Sequence, residues 1–343
     1  MNLAFKFKEC QRGGYVLNKR QEKLLKIIVE DYIKTARPIG SKAICNELNC
    51  SSATVRNEMG ELENLGLLEK MHTSSGRIPS EKGYRYYVDN IMKPKELNGE
   101  EMLKLQTIFK NNSLVLSDAI ERSMEIISEL TSYTSIVLGK QSNNNKVTKV
   151  EVVPITDTHL IALVVTDKGH VEHRDVIMSD SVDMKEITKT VEIINKMVIG
   201  TPINEVSAKL EYEVKPVINE CIAQHDVLYN AFYNAFSDFN KSEVHMSGTS
   251  NILMQPEFDN ADRIREIISK FDDKTKISNI KEDDSGINIY IGSENEFDDE
   301  VTIIKTKYSV NGEEGTIALI GPKRMEYERV VTLLDYIKKN IEG

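Results

Sequence analysis

The feature that most narrows the fold is a succession of four helical periods and a hairpin between Asn18 and Met92. Asn18 stands as an N-cap with Gln21 three residues on, and Leu24, Ile27, Ile28 and Tyr32 then share one face as far as Thr35. The run Arg37-Pro38-Ile39-Gly40 breaks this helix, because proline lacks the N–H that would continue the ladder. Ser41 caps a short second helix carrying Ala43, Ile44 and Leu48, and Asn49 and Cys50 form the next turn. Ser51 or Ser52 caps a third helix that runs to about Leu65, where Gly66 ends it. Leu67 to His72 and Arg77-Ile78 flank the turn-prone Thr73-Ser74-Ser75-Gly76, which predicts a two-stranded hairpin. Ser80 caps a fourth helix through Tyr84, Tyr87, Val88 and Ile91, closed at Lys93-Pro94. Helix, short helix, helix, hairpin is the order of a winged helix-turn-helix, expected over residues 17–92.

In such a motif the third helix enters the major groove with its N-terminal residues near base edges. Val55, Met59 and Leu62 form its inward stripe, which leaves Ala53, Asn57, Gly60 and Asn64 on the opposite face with Thr54 and Arg56 beside them. Asn57 can pair with adenine through two hydrogen bonds, and Arg56 can pair with guanine or clamp a phosphate; Ala53 and Gly60 permit close approach. Ser51 and Ser52 can donate to phosphates at the positive end of the helix, and Ser41 and Lys42 at the start of the second helix join the candidate set. On the hairpin the candidates are Lys70, His72, Ser75 and Arg77, within reach of phosphates or a minor groove. Taken singly, each has a plainer reading as a cap or a solvated surface residue. The case rests on the set within one architecture. Glu58 and Glu61 oppose phosphate, so they should pair with basic residues or face away from the backbone.

Charge placement agrees with this reading. The net charge of −10 divides into +4 over residues 1–92, with 15 Lys+Arg against 11 Asp+Glu, and −14 over the remainder, with 29 against 43. The basic end can neutralise phosphates while the acidic body repels a duplex docked wrongly. A chain of 343 residues, 40% apolar, predicts two or three domains. The longest apolar run, Leu160 to Val165, is too short to span a bilayer, and the first residues lack a signal-peptide core, so a cytoplasmic protein with no membrane partner is expected. Cys10, Cys45, Cys50 and Cys221 are scattered without a CxxC or HxxxH partner; reduced thiols, no structural zinc and no cofactor are expected. Phosphate-loop, GxGxxG, GxSxG and HExxH patterns are all missing, which argues against an enzyme with catalytic residues. His170 and His173 lack a third ligand, and His225 sits on an apolar seam.

Beyond a polar connector near residues 93–100, an amphipathic helix with Leu116, Ile120, Ile127 and Leu130 leads to strand-like runs at 135–138, 147–155, 160–166 and 171–177. Alternation resumes at Ile287, Ile289 and Ile291 and from Thr302 to Val310, before the hairpin pair Asn311-Gly312. A last helix places Val330, Leu334, Ile337 and Ile341 on one stripe, and the whole reads as an α+β body. Residues 178–245 differ. Met184, Ile187, Val191, Ile194 and Val198 recur at 3,4 spacing, and so do Ile218, Cys221, His225, Leu228, Phe232, Ala235 and Phe239. Spacing alone allows a helix buried in its own subunit or a dimer contact. Tyr229, Tyr233 and Phe236 enlarge the apolar face and favour a subunit interface through Leu228, Phe232, Phe236 and Phe239.

The segments Arg37 to Ser41, Ser51 to Met59, His72 to Ser80 and Gly83 to Asp89, with Ile320 to Tyr327 near the C-terminus, resemble the HrcA family of bacterial heat-inducible transcription repressors. The resemblance is dense over residues 18–92, and the middle matches in layout. It implies a multidomain α+β chain: a winged helix-turn-helix at 17–92, a GAF-like domain in two segments at 100–177 and 246–343, and an inserted, mainly helical dimerisation domain at 178–245. Residues 1–16 are an N-terminal extension that departs from the family pattern. It further implies repression of chaperone operons, including those of GroEL and DnaK, by a homodimer on a double-stranded inverted repeat called CIRCE, with the GroEL chaperonin helping keep the repressor active. The alternative is a winged-helix regulator controlled by a small metabolite in the GAF-like domain.

Overall fold

The computed structural model describes residues 17–71, 76–110, 116–139, 146–167, 171–177, 184–221, 226–239, 244–282, 284–310 and 313–343. The chain divides into two compact units, Met1–Gly139 with Val244–Gly343, and Lys140–Glu243.

The first unit opens with α1 (Lys19–Thr35), α2 (Ser41–Leu48) and α3 (Ser52–Asn64), then β1 (Leu68–Lys70) and β2 (Arg77–Pro79), then α4 (Glu81–Tyr86), which runs into a wider helical turn to Ile91. Three caps are where the sequence places them, but Ser41 does not cap α2: Gly40 is the N-cap with no side-chain bond, and Ser41 is the first helical residue, its hydroxyl turned to that of Ser52. Asn18 and Gln21 exchange hydrogen bonds in a full capping box, Ser51 accepts from the Thr54 N–H, and Ser80 accepts from the Gly83 N–H. β1 and β2 pair antiparallel, and Ile39 bonds both ways to Arg77 at 2.9 Å, so the chain before α2 is joined to the wing by one antiparallel bridge. Gly83 is obligatory here, because a Cβ would lie 2.1 Å from the Leu67 carbonyl oxygen. His72 and Ser75, and the expected extension 1–16, lie outside the described residues.

α5 (Gly99–Phe109), which the sequence pattern did not suggest, follows, then α6 (Leu116–Thr131) and β3 (Thr134–Leu138). Asn98 caps α5 with Glu101, and Glu101 in turn is gripped by Arg329.

The second unit holds β4 (Val147–Pro154), β5 (His159–Thr166), β6 (Val171–Ile177), α7 (Met184–Val198), α8 (Ile203–Lys209), α9 (Lys215–Cys221) and α10 (Asp226–Phe239). Two expectations are corrected by it. The strands at 147–177 were assigned to the split domain, yet they form their own three-stranded sheet, β4-β5-β6, and so belong to the insertion. Phe232 and Phe236, expected at a subunit seam, are wholly buried within this unit's own core with Leu160, Ala162 and Val164 of β5. A 3,4 spacing is the same whether a helix packs on a partner or on its own sheet, and here the sheet takes it. The side chains of Leu228 and Phe239 lie outside the described residues. Asn195 of α7 ties its helix to β4 by exchanging hydrogen bonds with both backbone groups of Val150 at 2.7 and 2.8 Å.

The chain returns to the first unit as β7 (Val244–Ser247), α11 (Thr249–Leu253), α12 (Ala261–Asp272), α13 (Lys274–Ser278), β8 (Ile287–Ile291), β9 (Val301–Val310), β10 (Glu313–Pro322) and α14 (Tyr327–Glu342). These strands form one antiparallel sheet in the order β7-β3-β10-β9-β8. Alternation divides β9 and β10 between two cores: Ile304, Tyr308, Ile317 and Leu319 pack with α14, while Val301, Ile303, Ala318 and Ile320 pack with α12 and α13. The Asn311-Gly312 turn lies outside the described residues.

The connector at 93–100 does not separate two bodies. Leu24, Tyr84, Tyr87 and Val88 of the winged helix share one apolar core with Ile289, Tyr327 and Leu334. Arg85 donates from Nε to Glu294 at 2.9 Å and from a terminal nitrogen to the Ile289 carbonyl at 2.6 Å, and the Tyr87 hydroxyl donates to Glu328 at 3.0 Å. Arg324 holds the Ile33 carbonyl at the end of α1. Among the described residues no helix is long and apolar enough to cross a membrane.

Candidate nucleic-acid interface

The geometry around α3 decides which side chains are free to meet DNA. Val55, Met59 and Leu62 are buried in the core shared with α1, so the opposite face of α3 turns to solvent. Arg56 and Asn57 are exposed there and make no hydrogen bond or ion pair among the described residues. Beside them, a Cβ built on Gly60 would meet nothing within 4 Å, so the helix surface stays open to close approach.

The acids of the same helix are occupied. Glu58 is buried and pairs with Arg20 of α1, Glu61 accepts from the Gln21 amide at 2.8 Å, and Glu63 pairs with Arg77. Three carboxylates that would repel phosphate are thereby held by partners on neighbouring elements. The Arg20 guanidinium is in turn raised above its ordinary value by its hydrogen bond and charge contact with Glu58.

The serines have the roles a helix N-terminus dictates. The Ser51 hydroxyl caps α3 and lies 2.9 Å from the Thr54 hydroxyl; Ser41 and Ser52 join α2 to α3 at 2.9 Å between their hydroxyls. Ser51 is exposed and Ser41, Ser52 and Thr54 are half-buried, while Lys42 and Lys70 are exposed.

Arg77 differs from the expectation for a wing cation. Its Nε and a terminal nitrogen reach Glu63 at 2.8 and 2.7 Å, and its side chain is only 15% exposed. It braces the base of the wing against α3. The turn depends on Gly76 as well, since a Cβ there would lie 2.8 Å from that of Pro38. Sequence reasoning missed both the Glu63 pairing and the role of Arg85. A long-range ion pair leaves no periodic trace in the chain.

Comparison with known proteins agrees with this architecture. Residues 16–90 match the family described as winged helix-turn-helix transcription repressor, HrcA DNA-binding, and residues 117–331 match the HrcA protein C terminal domain. The heat-inducible transcription repressor HrcA of Bacillus pumilus (strain SAFR-032) is 38% identical over 335 residues, which covers 96% of this chain and 98% of that one. A crystal structure of a hypothetical protein at 2.2 Å resolution shares the fold, with a TM-score of 0.65, 22% identity and coverage of 95% of this chain and 98% of the other. With matches at both ends and over nearly its whole length, the chain belongs to the HrcA family of heat-inducible transcription repressors.

Proposed function

We propose that this protein represses chaperone operons, including those of GroEL and DnaK, by binding a CIRCE-type inverted repeat as a homodimer in the cytoplasm. The observation that carries the DNA-binding part is the outward face of α3, where Arg56 and Asn57 are exposed and unengaged among the described residues while the neighbouring acids are paired. Ser51, Ser52, Thr54, Ser41 and Lys42 are proposed to hold phosphates around the same helix end, with Lys70, His72 and Ser75 on the wing. A footprint on chaperone promoters tests this; protection absent from every inverted repeat refutes it.

A two-fold protein suits a two-fold operator. With Phe232 and Phe236 inside, the dimer surface is reassigned to the open face of the β4-β5-β6 sheet. Ile161, Leu163 and Val165 alternate with the core residues of β5, and Val153 and Val171 stand opposite Ile161 and Val165 in register, both exposed. Leu163→Lys should yield monomers in sedimentation; a persistent dimer refutes this face.

Regulation by heat and by GroEL is consistent with a domain whose sheet closes only after a 104-residue insertion, Lys140–Glu243, has been made. Chaperonin recovery of misfolded repressor then couples operator occupancy to free GroEL. Binding lost on mild heating and regained with GroEL, its cochaperonin and ATP is the expected result; indifference to both refutes it. Control by a metabolite in the GAF-like domain is the second reading, supported by a cavity of about 380 Å³ lined by Lys276, Ile280, Tyr290, Phe297, Ile303 and Lys305. A stoichiometric ligand in native mass spectra would favour it.

A further inference from the structure

We propose that Cys45 and Cys50 are an oxidation site, a dithiol that closes to a disulfide inside the turn of the helix-turn-helix and weakens operator binding. The inference rests on the DNA-binding reading for its consequence, but not for its chemistry.

α2 ends in a turn of defined geometry. Asn49 is left-handed (φ 51°, ψ 43°), the Cys50 N–H donates to the Cys45 carbonyl at 3.2 Å, and the Asn49 N–H donates to the Asn46 carbonyl at 3.4 Å. This is the Schellman closure. The side chains that come together across it are those of the residue donating the outer N–H and the residue accepting it, ordinarily an apolar pair. Both positions are cysteine in this chain. The hydrogen bond between their main chains brings the two backbones within the reach a disulfide requires.

The thiols are free, half-buried and packed against the winged-helix core. Each donates to a backbone carbonyl, Cys45 to Ser41 at 3.1 Å and Cys50 to Leu48 at 3.2 Å. Among the described residues both thiols are free and no group of three or more metal-ligating side chains could hold an ion.

The balanced reaction is thiol exchange with a small disulfide such as oxidised glutathione. One cysteine thiolate attacks the glutathione disulfide and expels one glutathione thiolate. The other then attacks the mixed disulfide at the protein sulfur and expels the second. The protein loses two electrons and two protons, which leave as two molecules of reduced glutathione.

The consequence follows from position. Closing the bond draws Cys45 off the Ser41 carbonyl and Cys50 off that of Leu48. Ser41 also bonds Ser52, and Cys50 directly precedes Ser51, the cap of α3. The turn that sets α3 relative to α2 therefore tightens at the end of the helix that meets DNA.

The test uses the full chain with Cys10→Ser and Cys221→Ser, treated with oxidised glutathione. Both thiols fall in the tryptic peptide 43–56, which should lose two hydrogens and resist alkylation. In the same samples operator affinity should fall roughly tenfold or more, the scale of one or two lost base contacts, and return with dithiothreitol. Cys45→Ser with Cys50→Ser, and Cys45→Ala with Cys50→Ala, should bind as the reduced protein does and ignore the oxidant. Failure to form the 45–50 bond overturns the site, and a bond formed with affinity unchanged overturns the switch. Reduced protein that binds no operator counts instead against the DNA-binding reading, with the peptide mass still deciding the disulfide.

Discussion

Replacing Arg56 and Arg77 separately by alanine should divide binding from stability. Arg77 makes two charge-assisted bonds to Glu63 at 2.8 and 2.7 Å, with the two side chains 15% and 35% exposed. An exposed pair contributes about 0–1 kcal/mol and a hydrogen bond to a charged group about 1.5–3, so this half-buried fork contributes about 1–2 kcal/mol. For a body of this size that lowers Tm by a few degrees, at about 2–4 °C per kcal/mol. The hairpin itself should survive, because Ile39 holds the Arg77 backbone and not its side chain. Arg56 engages nothing among the described residues, so Arg56→Ala should leave stability within about 0.5 kcal/mol of the parent. Its cost appears in operator affinity, about 1–3 kcal/mol if it pairs with a base, or a salt slope shallower by about one if it clamps a phosphate. Urea unfolding and fluorescence anisotropy at several salt concentrations measure both. If Arg56→Ala lowers stability as Arg77→Ala does while affinity and salt slope stay unchanged, the assignment of α3 to the groove is refuted.

Gly83→Ala should unfold the wing or force it open, because the new methyl would sit 2.1 Å from the Leu67 oxygen; a loss of about 1–3 kcal/mol is expected by denaturation, and parental stability would contradict the packing. Phe232→Ala should cost about 3–5 kcal/mol in the inserted unit, read as early unfolding by hydrogen exchange, whereas a subunit-seam residue would show a change in association instead. Lys270 and then Arg263, by hydrogen bonds, hold the Glu266 carboxyl down to about 2 from an ordinary 4.5. A depressed folded value means that this support is complete above the unfolded value and is lost as pH falls toward 2, so Glu266→Gln should lower stability slightly at neutral pH, flatten the acid limb of the stability curve between about 4.5 and 2, and match the parent at the acid end.

The local architecture of the winged helix was legible in the chain alone because its signals are local. A cap, a period of 3.6 and a breaker lie within a few residues of one another, and Asn18, Ser51, Ser80, Pro38 and Gly66 each state a boundary. The candidates on α3 were legible for the same reason, since burial of Val55, Met59 and Leu62 leaves only one face for Arg56 and Asn57. What the tertiary structure decided depends on partners distant in sequence. Whether β4, β5 and β6 join the central sheet or stand apart is a question of pairing, which alternation does not encode. Whether the face of α10 meets a second subunit or its own sheet is likewise invisible to spacing, and Phe232 and Phe236 go inward because β5 offers Leu160, Ala162 and Val164 to receive them. Arg77 and Arg85 carry the same charge on the same module, yet their roles come from Glu63, 14 residues away, and Glu294, 209 residues away. A side chain's chemistry is written in the sequence, but its availability depends on which carboxylate the fold brings beside it.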